Sequence, residues 1–355
     1  MLTSIRSPGF LRQIPTGLLC LCLASCGGDS PDDPDSSLSR PIELERVRTI
    51  VRQDASESTA WLGRIRDLRH DPVADHLLGV DIDDHRIVEF TTGGEFVGYF
   101  GRYGEGPGEI RNLTGFEITG SRVVALDVGN GKLLFFDRLT RQAVMEVPLN
   151  RGAKDITLLG DTLVAVMPGP GGTLYELFHL DGRSFGAFGD GAFLVSSWTS
   201  SSITSIGEGL LAVVKPELPE GRIYRLDGTM YDAFGFGEVD HVLAGWREEF
   251  LEVVRTASRM TRAEGGGRIA AGKLWAGTPT GAFGGGSFFV RANPENMDVN
   301  ASQMWVLDPR GRVRKRYVFD RPLIGVSTVS FPRIFAVGLS REFGVYEYRL
   351  PAKDE

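Results

Sequence analysis

Apolar and polar positions alternate along most of the chain in short runs, the two-residue period of half-buried strands. One pattern keeps returning, a short apolar run closed by an aromatic residue or leucine. It reads Ile87-Val88-Glu89-Phe90, Leu133-Leu134-Phe135-Phe136, Leu174-Tyr175-Glu176-Leu177, Ile223-Tyr224-Arg225-Leu226, Met304-Trp305-Val306-Leu307 and Val345-Tyr346-Glu347-Tyr348, with starts 46, 41, 49, 81 and 41 residues apart. A second marker follows most of them: a turn glycine with an aromatic six residues on, as Gly94 and Phe100, Gly182 and Phe188, Gly228 and Phe234, and Gly311 and Tyr317. The second unit lacks it, with Thr140 and Glu146 at the matching places. Another strand precedes each first marker, over residues 77–82, 123–128, 163–167, 210–214, 288–292 and 333–339.

Repeats of roughly 40–50 residues, each with three or four short strands and Gly, Asp and Asn turns, are the sequence form of a β-propeller. Six markers predict an all-β, six-bladed propeller. The interval of 81 holds one unit plus an insertion, and its residues 242–260 read as a helix. Leu243, Trp246, Phe250, Val253 and Ala257 recur three or four apart, with Arg247, Glu248, Glu249, Glu252 and Arg255 between them. The last unit ends without an outer strand. Residues 42–51, IELERVRTIV, belong to no other unit and are expected to supply it, closing the ring and hiding a sheet edge. The expected organisation is a leader (1–25), a tether (26–41) and a propeller (42–355) with a helical insertion over about 241–264.

The glycine-rich stretch G-R-Y-G-E-G-P-G-E at 101–109 follows an outer strand. A phosphate loop needs G-x-x-x-x-G-K-[S/T], and the lysine and hydroxyl are missing; a dinucleotide fingerprint fails because no helix follows. The stretch is expected to carry the chain from the first blade to the second, with Pro107 stiffening the crossing.

Composition changes the picture at the N-terminus. Arg6 and Arg12 precede the apolar run Gly17–Leu23, which is too short to cross a bilayer, and Leu23-Ala24-Ser25-Cys26 follows. That ending resembles the bacterial lipobox, in which the cysteine is lipidated and becomes the first mature residue. The alternative is an ordinary signal peptide that ends in cysteine. With Cys20 and Cys22 in the removed segment, only Cys26 remains, so there is no disulfide framework. Two or three acyl chains, at roughly 0.8 kcal/mol per buried methylene, make such an anchor permanent. Gly27 and Gly28, not an aspartate, immediately follow Cys26, which by resemblance to the sorting rule of Gram-negative lipoproteins favours the outer membrane. Residues 27–41, GGDSPDDPDSSLSRP, are too polar and proline-broken to bury a core. As a flexible tether they reach on the order of 20 Å.

Charge excludes one class of partner. The chain carries −7, and loss of Arg6 and Arg12 with the leader takes it to −9. The basic run R-G-R-V-R-K-R at 310–316 fits an exposed outer strand, so nucleic acid is not an expected partner.

The loop sequence G-E-G-P-G-E and the following V-A-L-D-x-x-N-G-K-L-L-x-F-D together resemble bacterial six-bladed β-propeller lipoproteins related to NHL-repeat proteins. The carrying residues are Gly104, Gly106, Pro107, Gly108, Glu109, Asp127, Asn130, Gly131 and Lys132. The likeness spans residues 60–350, is sharpest in the first two blades, and implies extracytoplasmic binding or scaffolding.

Candidate chemistry is sparse, and no cofactor motif is present. Innermost strands offer Asp67, Glu117 and Asp155 as weak candidates for an oxygen-rich cation site, as in lactonase-like propellers; the plainer alternative is paired or exposed carboxylates. The acids lie 10, 6 and 8 residues before the next strand, so they need not share one height. The histidines show no zinc spacing, and no G-x-S-x-G elbow exists. Asp81 and Asp127 read as turn caps. A lactonase-like hydrolase and an amidating-lyase-like propeller are the enzyme alternatives. The leading expectation is a membrane-anchored module binding a protein, peptide or glycan through loops at one mouth: Arg102, Tyr103, Glu105 and Glu109 in one, Trp198 in another. Trp198 either contacts a ligand or packs on its neighbour.

Overall fold

The computed structural model describes residues 41–52, 62–149, 153–160, 162–168, 172–190, 202–207, 209–214, 220–235, 282–283, 287–292, 303–307, 313–321, 323–330, 332–338 and 344–351. Two N-terminal strands come first, β1 (Ile42–Glu43) and β2 (Glu45–Arg52). A four-stranded meander follows: β3 (Ile65–Asp71), β4 (His76–Asp81), β5 (Arg86–Thr91) and β6 (Phe96–Phe100). The same order recurs in β7 (Leu113–Ile118), β8 (Arg122–Asp127), β9 (Lys132–Asp137) and β10 (Ala143–Pro148). It recurs again in β11 (Ala153–Leu159), β12 (Leu163–Pro168), β13 (Thr173–His179) and β14 (Ser184–Asp190), and in β15 (Ser202–Gly207), β16 (Leu210–Val214), β17 (Glu220–Arg225) and β18 (Met230–Gly235). The fifth sheet comprises β19 (Ala282–Phe283), β20 (Ser287–Ala292), β21 (Gln303–Leu307) and β22 (Val313–Val318), with β1 added at its edge. The sixth comprises β23 (Leu323–Ser330), β24 (Arg333–Gly338) and β25 (Gly344–Arg349), with β2 as its fourth strand.

The described residues are thus all-β, in four-stranded antiparallel sheets that resemble propeller blades, with β1 added in parallel to the fifth. The expected helix over 242–260 lies outside them. The first strands touch in succession from β23 through β3, β7, β11 and β15 to β19. Apolar clusters fill the seams: Val80, Phe100, Phe116 and Phe136 between the first two sheets, and Leu77, Phe90, Phe335 and Val345 between the first and sixth.

The N-terminal segment does more than one strand would. Glu45 opposite Arg349 and Arg52 opposite Gly344 place β2 antiparallel on β25. Ile42 opposite Tyr317 places β1 parallel on β22. Leu44, between them, is buried with Tyr317, Phe319, Tyr348 and Leu350. The segment therefore joins the fifth sheet to the sixth.

The repeated turn glycine has a physical cause. Gly94, Gly182 and Gly228 have φ of 93°, 85° and 83°, and each turn presses on the preceding sheet. An added Cβ would lie 2.4 Å from Ile50 O, 2.8 Å from Val147 Cγ2 and 2.7 Å from Gly189 N, respectively. The second sheet departs from this. Its turn is one residue longer, closed by Asp137 N to Gln142 O at 2.9 Å, and Arg141 takes the left-handed position with φ 60°. The place of the missing marker is therefore Arg141, not Thr140. Its side chain reaches into the first sheet and donates to Glu89 at 2.7 Å. The space comes from Gly98, where a Cβ would stand 2.7 Å from Arg141 Nε. The glycine has moved from the turn to the strand beneath it.

Candidate functional site

The glycine-rich loop is held from several sides. Glu109 accepts from Arg102 Nε and the Gly106 amide, each at 2.9 Å. The Gly106 amide, followed by Arg102, holds the Glu109 carboxyl below its ordinary pKa. Gly104 is required beside it, since a Cβ there would lie 2.0 Å from Glu109 Oε2. Asn130 Nδ2 donates to Gly104 O at 3.0 Å and Lys132 Nζ to Gly106 O at 3.3 Å. Asp127, buried, accepts the amides of Asn112 at 2.9 Å, Gly129 at 3.1 Å and Arg111 at 3.1 Å, so it caps its turn and anchors the end of the loop. Asp81 caps its own turn through the amides of Asp83 and Asp84.

Gly104, Gly106, Glu109, Asp127, Asn130 and Lys132 thus belong to one hydrogen-bonded network, closed by Asn130 Nδ2 donating to Asp127 at 2.8 Å. Arg102 and Glu109 are partners of each other, and Glu105 pairs with Arg111 at 2.9 Å. Tyr103, 63% exposed, keeps an open face and stacks on His85 with ring centres 5.4 Å apart. Trp198 and Cys26 lie outside the described residues.

The three inner-strand acids do come together. Asp67 on β3 accepts from Arg69 Nη1 at 2.7 Å, and Glu117 on β7 contacts Arg69 Nη2 at 3.4 Å. Asp155 on β11 is close enough to act on the charges of both Arg69 and Glu117. Its two oxygens accept the amides of Ile156 and of Ile203 on β15, each at 2.9 Å. Register shifts at Ile65/Leu68, Leu113/Gly115 and Ala153/Asp155 mark a bulge in each of these strands. Bulges re-aim side chains, which is why unequal offsets along the chain still converge.

Arg69 is the member that sequence reasoning missed. The signal was Asp67-x-Arg69 on one strand, two residues apart and so on one face. Its guanidinium lies 5.8 Å from the centre of the Phe116 ring. Burial disfavours the Arg69 charge, but Asp67 and Glu117 more than compensate, and its pKa lies above the ordinary value. Burial pushes the Glu117 carboxyl up to about 7 against the pull of Arg69, with Asp67 and Asp155 adding to the rise. Among the described residues the cluster holds three carboxyls and the guanidinium of Arg69, drawn from three sheets. Among the described residues no three of His, Cys, Asp and Glu are placed to hold a metal ion.

By sequence the chain matches no protein-family profile and no curated protein. Solved structures do resemble it. A protein described as exported, from Bacteroides fragilis, superposes with a TM-score of 0.53 at 13% identity, covering 88% of this chain and 99% of that one. The WD40 repeats of RRP9 give 0.55 at 8% identity, covering 87% and 100%. Streptogramin B lyase gives 0.50 at 11% identity, covering 87% and 88%. At these identities the likeness is one of fold, and the fold is propeller-like.

Proposed function

We propose that this chain is a six-bladed β-propeller of the bacterial lipoprotein type, closed by its N-terminal strands and anchored to the cell envelope through lipid on Cys26. It acts as a binding module. The observation that carries this reading is the convergence of Asp67, Arg69, Glu117 and Asp155 from three neighbouring inner strands. Rigid strands hold the charges in place before any ligand arrives, which lowers the ordering cost of binding. With more carboxyls than cations, the cluster suits a polar ligand that presents hydrogen-bond donors or positive charge, such as an amino sugar or an amine-bearing peptide.

A hydrolase is the second reading, and Glu117 is what favours it. A carboxyl poised near neutral pH is suited to proton transfer. Against a lactonase-like metal site stands Arg69, whose guanidinium already provides the positive charge among the acids.

Thermal shift against a panel of small glycans, amines, lactones, calcium and manganese separates the two. A ligand at 100 times its dissociation constant adds about 2.7 kcal/mol, roughly 4 °C for a domain of this size. The expected result is a shift with a polar donor-bearing ligand that is lost in Asp67→Asn, and none with either cation. Lactone turnover that disappears in Glu117→Gln would move the hydrolase to the front.

A further inference from the structure

The exposed apolar side chains are not spread evenly. In each meander the turn between the first and second strands and the turn between the third and fourth lie at the same end of the sheet. The first strands of neighbouring sheets touch in succession. Asp155 and Thr157 on β11 accept the amides of Ile203 and Ser205 on β15, so these two run the same way. Ion pairs join the turn ends across two further seams, Arg138 to Asp71 and Arg333 to Asp75. At this end stand Val73, Phe96, Leu139, Phe185, Met230 and Tyr231, each between 42% and 86% exposed. Val73 is the middle of an exposed Pro72-Val73-Ala74 tip, and Leu139 lies in the turn that Arg138 ties to it. Among the described residues the opposite end exposes Tyr103 as its large apolar side chain, amid ion pairs such as Arg64 with Asp83 and Arg111 with Glu105.

We propose that this end of the molecule docks on the surface of a lipid bilayer and seats these six side chains among the headgroups. The proposal rests on the reading of Cys26 as a lipid anchor. Three observations carry it. First, the chain arrives from this end. Glu45 stands opposite Arg349 and Arg349 opposite Arg333, which opens β24 directly after the turn from β23. β1, just before, lies parallel to β22 and so leads away from the turn that β22 follows. Second, the tether is short. Residues 27–41 reach on the order of 20 Å, whereas a folded domain of this size is roughly 50 Å across. The end that the tether joins therefore stays next to the bilayer, and docking becomes an intramolecular event that weak contacts can sustain. Third, the residue types fit the headgroup boundary, where aromatic and aliphatic side chains sink and a tyrosine hydroxyl stays wet. The acids of three of these turns are already bonded within them, Asp137 to Thr140, Asp181 to Arg183 and Asp227 to Thr229. Docked in this way, the molecule turns the opposite end, with Tyr103, to water.

The test uses the chain from Cys26 onward, whose single cysteine can be coupled to a maleimide lipid in vesicles of phosphatidylethanolamine and phosphatidylglycerol. Coupling supplies the anchor in vitro, so the docking face is tested apart from lipidation by the cell. Hydroxyl-radical footprinting then compares the vesicle-bound chain with the same chain capped at Cys26 in solution. The expected result is a severalfold fall in labelling of Val73, Leu139, Phe185 and Met230 on vesicles, with Tyr103 unchanged. In the double variant Leu139→Asp with Phe185→Asp, both sites being exposed and tolerant of change, labelling of Val73 and Met230 should return to its solution level. Equal labelling on and off vesicles overturns the proposal. Protection of Tyr103 instead, or protection that survives the double substitution, overturns it as well. The two readings fail separately. A wild-type chain that fractionates as soluble removes the anchor, and the docking with it. A lipidated chain without the footprint keeps the anchor and loses only the docking face.

Discussion

Glu117 and Asp75 respond to pH in opposite directions. Burial raises the Glu117 carboxyl from its ordinary value of 4.5 to about 7, so between those values the folded chain binds a proton that the unfolded chain has lost. Stability from this group is complete at low pH and is lost as pH rises through 7. At about 1.4 kcal/mol per unit, the loss by pH 8 is on the order of 3 kcal/mol. Glu117→Gln should flatten this slope, and melting curves of the two proteins that stay parallel from about pH 5 to about pH 8 would contradict the assignment. Asp75 is the reverse case. Burial alone would raise it, but Thr92 Oγ1 at 2.7 Å, His70 Nε2 at 3.0 Å and Arg333 Nη1 at 2.8 Å hold its pKa far below the ordinary value. Its contribution is present above the unfolded pKa and lost in acid. Because Arg333 belongs to the sixth sheet, Asp75→Asn should weaken the seam between the sixth sheet and the first at neutral pH, and the difference from wild type should shrink towards pH 2.

At the scale of the element, the turn glycines separate two costs that usually travel together. Gly182 and Gly160 both have positive φ, 85° and 61°, so alanine at either carries the left-handed strain of roughly 1–2 kcal/mol. They differ in what surrounds them. An alanine Cβ at Gly160 meets nothing within 4 Å, whereas at Gly182 it meets Val147 at 2.8 Å and Met145 Sδ at 2.9 Å. Gly182→Ala should therefore be less stable than Gly160→Ala by a further 1–3 kcal/mol or so, as measured by urea unfolding; equal losses would mean that the seam contact adds nothing. This element was legible in the sequence because glycine leaves a mark there. The sheets were legible for a similar reason, since the first four and the sixth pack the same apolar run of the third strand into the core. The inner cluster was only half legible: alternation placed Asp67, Glu117 and Asp155 on first strands, but the bulges that turn them towards Arg69 leave no residue signature. The Arg141 exchange was hidden too, because a one-residue lengthening of the turn moved the positive-φ position off the expected register.

For the whole molecule, the proposed anchor and the N-terminal strands lie on adjacent stretches of the chain and can be tested separately. If Cys26 is lipidated, Cys26→Ala releases the protein from the membrane fraction into the soluble one; wild type that is already soluble contradicts the anchor. Residues 27–41 hold Leu38 as their single large apolar side chain, among four aspartates and three prolines. Their removal should leave the melting temperature unchanged. Residues 42–51 are another matter. Leu44 and Val51 are 6% and 5% exposed, Arg48 bonds Glu347 at 2.7 Å, and β2 covers the edge of β25. Burying two aliphatic side chains contributes about 1.5–3 kcal/mol each, and uncovering β25 adds an exposed edge that favours aggregation. Deleting 42–51 should thus lower the melting temperature by roughly 5–10 °C and promote association of the purified protein. The comparison is internal, since the two deletions are of similar length and both leave β3 onwards intact. Equal melting temperatures would mean that the N-terminal strands add nothing to the sixth sheet, and the closed ring would have to be given up.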